Sequence, residues 1–451
     1  MEHTRSTFSN RLGFVLAAAG SAVGLGNLWR FPYLAAKYGG GIFLLLYIIL
    51  VVTYGIVQME SHIPIGRKTA LNPIPAFGKL NKKSRFIGVL ACLVSFLILP
   101  YYSVIGGWVI KYLVSFVSGA GAATATDGYF SGFISESWQP LLFLLIFLAA
   151  TFVIVIRGVK RGIEKASRIL MPILIVLSVA LAIYSMTLPG GMEGVAYFFL
   201  PDFSKFSVNL LLAAMGQMFY SMSLAMGIMI TYGSYLSKKE NLEKSASHIE
   251  MFDLGISILA GLMIIPAVFS FSGGEASAIN AGKGLMFETL PKVFHSMPLG
   301  DVMGAVFFLL VLFAALTSSI SLMEAVVATV CDQFKLSRKK ATVIVFCLAL
   351  ILAIPSSLGY GVLKDFPIFG MAILDFFDFL TNSVLMPICA LLTCIVVGYV
   401  VKPAAIIAEV ELNAKFRRKG LFKVMVKYIA PIFIIAILIS SILDSLKIVV
   451  L

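Results

Sequence analysis

Ala19-Gly20-Ser21-Ala22-Val23-Gly24-Leu25-Gly26-Asn27-Leu28-Trp29-Arg30-Phe31-Pro32 lies within a stretch that is otherwise apolar enough to be a helix in lipid. Three glycines and a proline interrupt it. Glycine destabilises a helix interior by about 1 kcal/mol relative to alanine, and proline removes a backbone donor. At membrane depth such a break persists only where the backbone lines a cavity or is covered by protein. Gly216-Gln217-Met218-Phe219-Tyr220-Ser221-Met222-Ser223-Leu224-Ala225-Met226-Gly227 has the same character further along the chain. Close helix packing is the alternative reading of these glycines.

The rest of the chain places both breaks inside a bilayer. Of 451 residues, 60% are hydrophobic and 13% charged, and the mean hydropathy is +0.99. A soluble chain of this length has too little interior for so much apolar surface, so lipid is the solvent. Apolar stretches long enough to span fall near 12–37, 40–65, 86–116, 140–156, 169–188, 207–236, 249–272, 298–331, 341–356, 368–401 and 428–448. The expected architecture is thus an all-α integral membrane protein of eleven transmembrane helices. The N-terminus carries no expected signal peptide, because it runs straight into the first apolar stretch without a small-residue cleavage site.

Net charge is +13, and 27 of the 35 Lys and Arg fall at the N-terminus (Arg5, Arg11) and in 66–86, 157–168, 236–247, 333–341 and 402–427. These are alternate loops, the positive-inside pattern, so the N-terminus and those loops are expected in the cytoplasm and the C-terminus outside. The basicity reflects topology and some anionic-lipid contact rather than nucleic-acid binding. Loops 117–139 and 273–297 fall on the other side and are expected to cap it. The five cysteines, without CxxC spacing, and four scattered histidines predict neither a disulfide framework nor a metal cluster. No HExxH, GxSxG or GxxxxGK[ST] pattern points to an enzyme or an ATP-driven pump.

The two breaks are five spans apart, so they run in opposite directions, as in an inverted repeat of spans 1–5 and 6–10. Interrupted segments at matching positions of two halves point to a transporter's binding site. The expected organisation is one transporter domain, 1–451, with repeats 1–190 and 205–401 and a tail of loop plus eleventh span, 402–451. Asp253, in Met251-Phe252-Asp253-Leu254-Gly255, is a carboxylate inside an apolar span, where it is costly by a few kcal/mol and functional by default. The alternative is a span-edge residue reaching the cytoplasm.

Gly24-Leu25-Gly26-Asn27-Leu28-Trp29-Arg30-Phe31-Pro32-Tyr33, then Gly39-Gly40-Gly41, Tyr101-Tyr102 with Trp108, the second broken segment and Ala314-Ala315-Leu316-Thr317-Ser318-Ser319 together resemble the neurotransmitter:sodium symporter family, in its bacterial amino-acid branch. The resemblance runs in order over nearly the whole chain and implies the LeuT-type fold in a bacterial inner membrane. It implies symport of a neutral amino acid with two sodium ions. One sodium site would comprise the Ala22 carbonyl, Asn27, Ser221, Asp253 and the substrate carboxylate. The other would comprise the Gly20, Val23 and Ala314 carbonyls, Thr317 and Ser318. Sodium is a hard cation that takes oxygen ligands, which a broken helix exposes. For Thr317 and Ser318, hydroxyl back-bonding to a helix carbonyl is the alternative.

By the same resemblance Tyr102 and the Leu25 and Gly26 N–H groups hold the substrate carboxylate, beside Ala22 and Ser221. Ile98, Tyr220, Ser223, Met226, Ser318 and Leu322 form an uncharged side-chain pocket, suited to a hydrophobic or aromatic amino acid. Packing is the alternative role for its Met and Tyr. Gly24 stands where monoamine carriers of the family place Asp, which leaves room for a substrate bringing its own carboxylate. Asp253 stands where relatives often carry Asn with chloride nearby, which predicts chloride independence, although Tyr47, Gln217 and Ser257 match the chloride-site positions. Arg30 with Asp378 (Asp375 one turn away) and Arg5 with Asp332 and Tyr235 are the implied outer and inner gates. Gly162 and Pro172 match a fifth-span segment that unwinds. Phe8 replaces a usual Trp, and His62 a usual Glu, with Glu60 two residues before. A transport-incompetent sensor or a channel on the same scaffold is the alternative function. No obligate protein partner is implied.

Overall fold

The computed structural model describes residues 7–274 and 284–445, with side chains to 443. Nine unbroken helices in it are long and apolar enough to cross a bilayer: Gly41–Thr69 (span 2), Lys82–Val117 (span 3), Trp138–Ile156 (span 4), Val159–Thr187 (span 5), Leu242–Ser272 (span 7), Gly300–Phe334 (span 8), Arg338–Leu358 (span 9), Ile373–Val400 (span 10) and Lys419–Leu443 (span 11). A tenth crossing, span 1, is the pair Arg11–Ala22 and Gly26–Lys37, bent by 54°. The crossing expected at 207–236, span 6, consists of Val208–Ser221 and Ile228–Gly233, 14 and 6 residues long. Neither half reaches the roughly 20 residues that a bilayer requires. Among the described residues, nine helices and the bent pair of span 1 thus meet the length and composition requirement, and span 6 is divided into two halves that are each too short to meet it singly.

Burial separates inner from outer helices. In span 8, 72% of the most apolar window is covered by protein, and in spans 2 and 3 the figure is 67%, against 28% in span 11 and 33% in spans 4 and 5. Spans 3 and 8 pack extensively on one another, and the first half of span 1 lies against spans 7 and 8. The broken spans thus run through the interior, where other protein segments can satisfy freed backbone groups. Glycine serves packing elsewhere: a Cβ on Gly107 of span 3 would stand 2.6 Å from the Leu144 nitrogen of span 4, the close approach small residues permit. Loop 117–139 folds into short helices Gly121–Thr124 and Tyr129–Ser135. Residues 275–283 of the other expected cap lie outside the described residues.

Candidate functional site

Span 1 begins conventionally, with Asn10 Oδ1 accepting from the Gly13 N–H at 2.9 Å. It leaves helical geometry at Val23, whose ψ of 106° is extended. Gly24 N–H then turns to Asn27 Oδ1 at 3.0 Å instead of to a helix carbonyl. The Ser318 hydroxyl of span 8 lies within 3.2 Å of the Ser21 and Val23 carbonyls and 3.5 Å of that of Gly20. Thr317 Oγ1 donates to the Ala314 carbonyl at 3.0 Å. Gly20, Val23, Ala314, Thr317 and Ser318, separated in sequence, thus converge as one group of oxygens.

Span 6 breaks differently. Ser223 (φ 50°), Ala225 (φ 61°) and Gly227 (φ 76°) are left-handed. The Ser223 hydroxyl donates to the Ser21 carbonyl at 2.7 Å, and the Ser95 hydroxyl of span 3 donates to the Met226 carbonyl at 2.6 Å. Gln217 Nε2 donates to the Gly26 carbonyl at 3.0 Å. The two breaks are therefore tied to each other directly.

Asp253 meets them from span 7 and is fully buried. Asn27 Nδ2 donates to Asp253 Oδ1 at 2.7 Å and to Ser257 Oγ at 2.9 Å. Ser221 Oγ reaches Asp253 Oδ2 at 3.3 Å, and the Tyr47 and Ser221 hydroxyls are 3.0 Å apart. All of these partners are neutral. A buried carboxylate held by neutral donors alone retains its full charge deficit, so the cluster favours a cation.

Between the breaks lies a small cavity. The expected Ala22, Leu25, Gly26, Ile98, Tyr102, Tyr220, Ser221, Ser223, Met226, Ser318 and Leu322 all line it. Leu25 N–H faces the Tyr102 hydroxyl at 3.5 Å. A Cβ on Gly24 would lie 2.8 Å from Ser318 Oγ and 3.2 Å from the Tyr102 hydroxyl. An Asp there has no room without displacing these two side chains.

The profile of the Sodium:neurotransmitter symporter family matches residues 5–127 and 130–449. This chain belongs to that family. A sodium-dependent transporter of Bacillus subtilis, YhdH, is 37% identical over 96% of this chain and 97% of its own length. One of Haemophilus influenzae is 35% identical over 97% and 98% respectively. Among solved structures, MhsT in complex with L-phenylalanine superposes with a TM-score of 0.87 at 40% identity, covering 97% of this chain and all of that one. The symporter is accordingly a multi-pass membrane transporter, coupled to sodium and moving a small molecule.

Four lining residues of the symporter's cavity escaped the sequence reading: Ser21, Tyr101, Ile228 and Asn382. Ser21 stood in the quoted break and Tyr101 beside Tyr102, but Asn382 reaches the cavity from span 10, where the sequence carries no signal. The Arg30 guanidinium lies over the Tyr220 ring, 5.1 Å from its centroid, a cation–π geometry. Asp378 Oδ1 accepts from Asn382 Nδ2 at 2.6 Å. Arg30, Asp375 and Asp378 line one further cavity directly beyond the first. On the other face Tyr235 donates to Glu324 Oε1 at 2.8 Å and Asp332 accepts from Asn72 at 2.6 Å; Arg5 lies outside the described residues. Phe8 packs edge-on against Phe14, Tyr232 and Tyr235. Gly162 and Pro172 lie within one continuous helix, Val159–Thr187. His62 and Glu60 do not bond the span 6 break: His62 Nδ1 meets the Gln58 carbonyl at 2.7 Å, and Glu60 faces Arg418.

Proposed function

We propose that the protein carries a neutral, hydrophobic or aromatic L-amino acid into the cell together with sodium, by alternating access. Asp253 carries this reading: a fully buried carboxylate, held only by neutral donors, at the junction of two broken helices. Sodium supplies the missing charge and takes the oxygens available. Its first site is the Ala22 carbonyl, Asn27, Ser221, Asp253 and the substrate carboxylate. The second is the Gly20, Val23 and Ala314 carbonyls with Thr317 and Ser318. Substrate and first sodium then bind cooperatively, because each completes the other's shell.

Tyr102 and the Leu25 and Gly26 N–H groups take the carboxylate, and the uncharged lining from Ile98 to Leu322 takes the side chain. The L-phenylalanine bound by MhsT supports this substrate class. Because Asp253 brings its own negative charge beside Tyr47, Gln217 and Ser257, chloride is not required. Arg30 and Asp378 close the outer side and Arg5, Asp332 and Tyr235 the inner, with the N-terminus in the cytoplasm of a bacterial cell and the C-terminus outside.

Uptake of labelled amino acids into proteoliposomes tests this, with sodium or potassium outside and chloride replaced by gluconate. Sodium-dependent uptake of one or a few neutral amino acids, unchanged without chloride and abolished in Asp253→Ala, is the expected outcome. Sodium-dependent binding without accumulation of any amino acid would make the protein a sensor instead.

A further inference from the structure

A second buried acidic cluster lies outside the machinery just described. Glu60 of span 2 and Glu250 of span 7 are 0% and 5% exposed. One guanidinium serves them both, that of Arg418 in the segment before span 11. It approaches Glu60 Oε1 at 3.0 Å and acts electrostatically on Glu250. Arg418 is already engaged elsewhere. It pairs with Glu243 Oε1 at 3.3 Å and donates to Ser247 Oγ at 2.6 Å. Glu243 is further held by the Arg417 and Arg418 backbone N–H groups at 3.2 and 3.3 Å.

Glu60 is held by far less. Both of its carboxylate oxygens, and Glu250 Oε1, are buried with no hydrogen-bond partner among the described residues. Its one charged partner is Arg418, at 3.0 Å.

Among the described residues, no other neighbour of span 2 places a second cation in ion-pair contact with Glu60. Arg67 is paired with Glu409 at 2.8 Å and also donates to the Glu240 carbonyl. Lys79 donates to the Thr69 carbonyl. His62 must donate from Nδ1, since the Gln58 carbonyl only accepts, and its Nε2 is buried without a partner, the state of a neutral ring. Tyr232 and Tyr235 donate to Ser321 and Glu324. Lys419 pairs with Glu411, and Lys423 and Lys427 line a separate cavity with Tyr399. Asp253, one turn beyond Glu250, adds negative charge.

Arg418 is thus divided between Glu60 and Glu243, and Glu243 has in addition 12% of its side chain exposed and Arg11, Lys244, Lys415 and Arg417 lining the same cavity. A buried carboxylate without full compensation costs several kcal/mol, and binding a proton removes the charge. We propose that Glu60 is a proton-binding site of this transporter, separate from the sodium and substrate sites and reached from the membrane face that carries Arg418. Proton and Arg418 compete for it. Acidification of that face neutralises Glu60, withdraws a partner from Arg418 and loosens the 411–418 segment from spans 2 and 7; alkalinisation docks it.

Infrared difference spectra of the full chain in lipid nanodiscs, recorded against pH, test the site without requiring transport. The expected result is a protonated-carboxyl component that disappears on alkalinisation, is lost in Glu60→Gln and persists in Glu243→Gln and Glu250→Gln. In Arg418→Gln the band should survive to higher pH, its midpoint moving by about one to three pH units, the usual influence of an adjacent arginine on a carboxyl group. Thermal stabilisation by sodium shows that each variant is folded, and should Glu60→Gln fail that check, Arg418→Gln carries the test. An unchanged spectrum in folded Glu60→Gln, or an unmoved midpoint in Arg418→Gln, overturns the proposal.

Discussion

The two broken helices achieve one end by different means. Span 1 opens without any left-handed residue from 19 to 32, whereas span 6 turns through three such residues at 223, 225 and 227. The glycines of the first break answer to space. A Cβ on Gly26 would lie 2.6 Å from two ring carbons of Tyr220, and one on Gly24 would crowd Ser318 and Tyr102. In the second break only Gly227 is a glycine, and the strain at Ser223 and Ala225 is held by bonds from other spans. Left-handed geometry costs a non-glycine residue about 1–2 kcal/mol, and such strain persists where the surroundings over-determine it. A glycine-rich motif therefore marks a place where something must fit closely, and a glycine-poor break a place where the tertiary structure does the bending.

Substitutions sharpen that contrast. The largest effect is expected for Gly26→Ala. Its methyl meets an aromatic ring that Arg30 also covers, and overpacking of about 1–3 kcal/mol corresponds to roughly a 5- to 150-fold loss. Sodium-dependent uptake should fall accordingly and recover in part when Tyr220 is also reduced to Leu. Full activity of the single variant would refute the spatial reading of the first break. Ser95→Ala comes next. It leaves the buried Met226 carbonyl without its donor, at about 1–3 kcal/mol, so the thermal midpoint should drop while the first break is untouched. An unchanged midpoint would show that span 6 holds its shape unaided.

The smallest effect is expected for Ala225→Gly. Relief of about 1–2 kcal/mol of left-handed strain is offset by glycine's entropic cost of about 0.5–1 kcal/mol. A slight gain in stability results, while the same exchange at helical Ala22 should cost about 1 kcal/mol. Equal losses at both positions would erase the distinction between the breaks.

Much of this was legible in the chain. The stretches 86–116 and 140–156 became Lys82–Val117 and Trp138–Ile156, because a bilayer imposes a length of apolar sequence that local composition reports directly. Asp253 announced itself as a carboxylate among apolar neighbours, and Gly24 and Gly26 by their density. At 207–236 hydropathy reported the apolar stretch but did not register the change of backbone direction at Ser223.

By itself, then, the sequence determined which segments enter lipid, where two of them break and which glycines of the first break admit close neighbours. These are properties of single segments and their solvent. Only the tertiary structure decided that Ser95 would hold Met226, that Asn382 would join the cavity from span 10, and that Arg418 would be shared by Glu60, Glu250 and Glu243. Those outcomes depend on which helices lie side by side, and that is set by packing and by the pairing of buried polar groups between segments far apart in the chain.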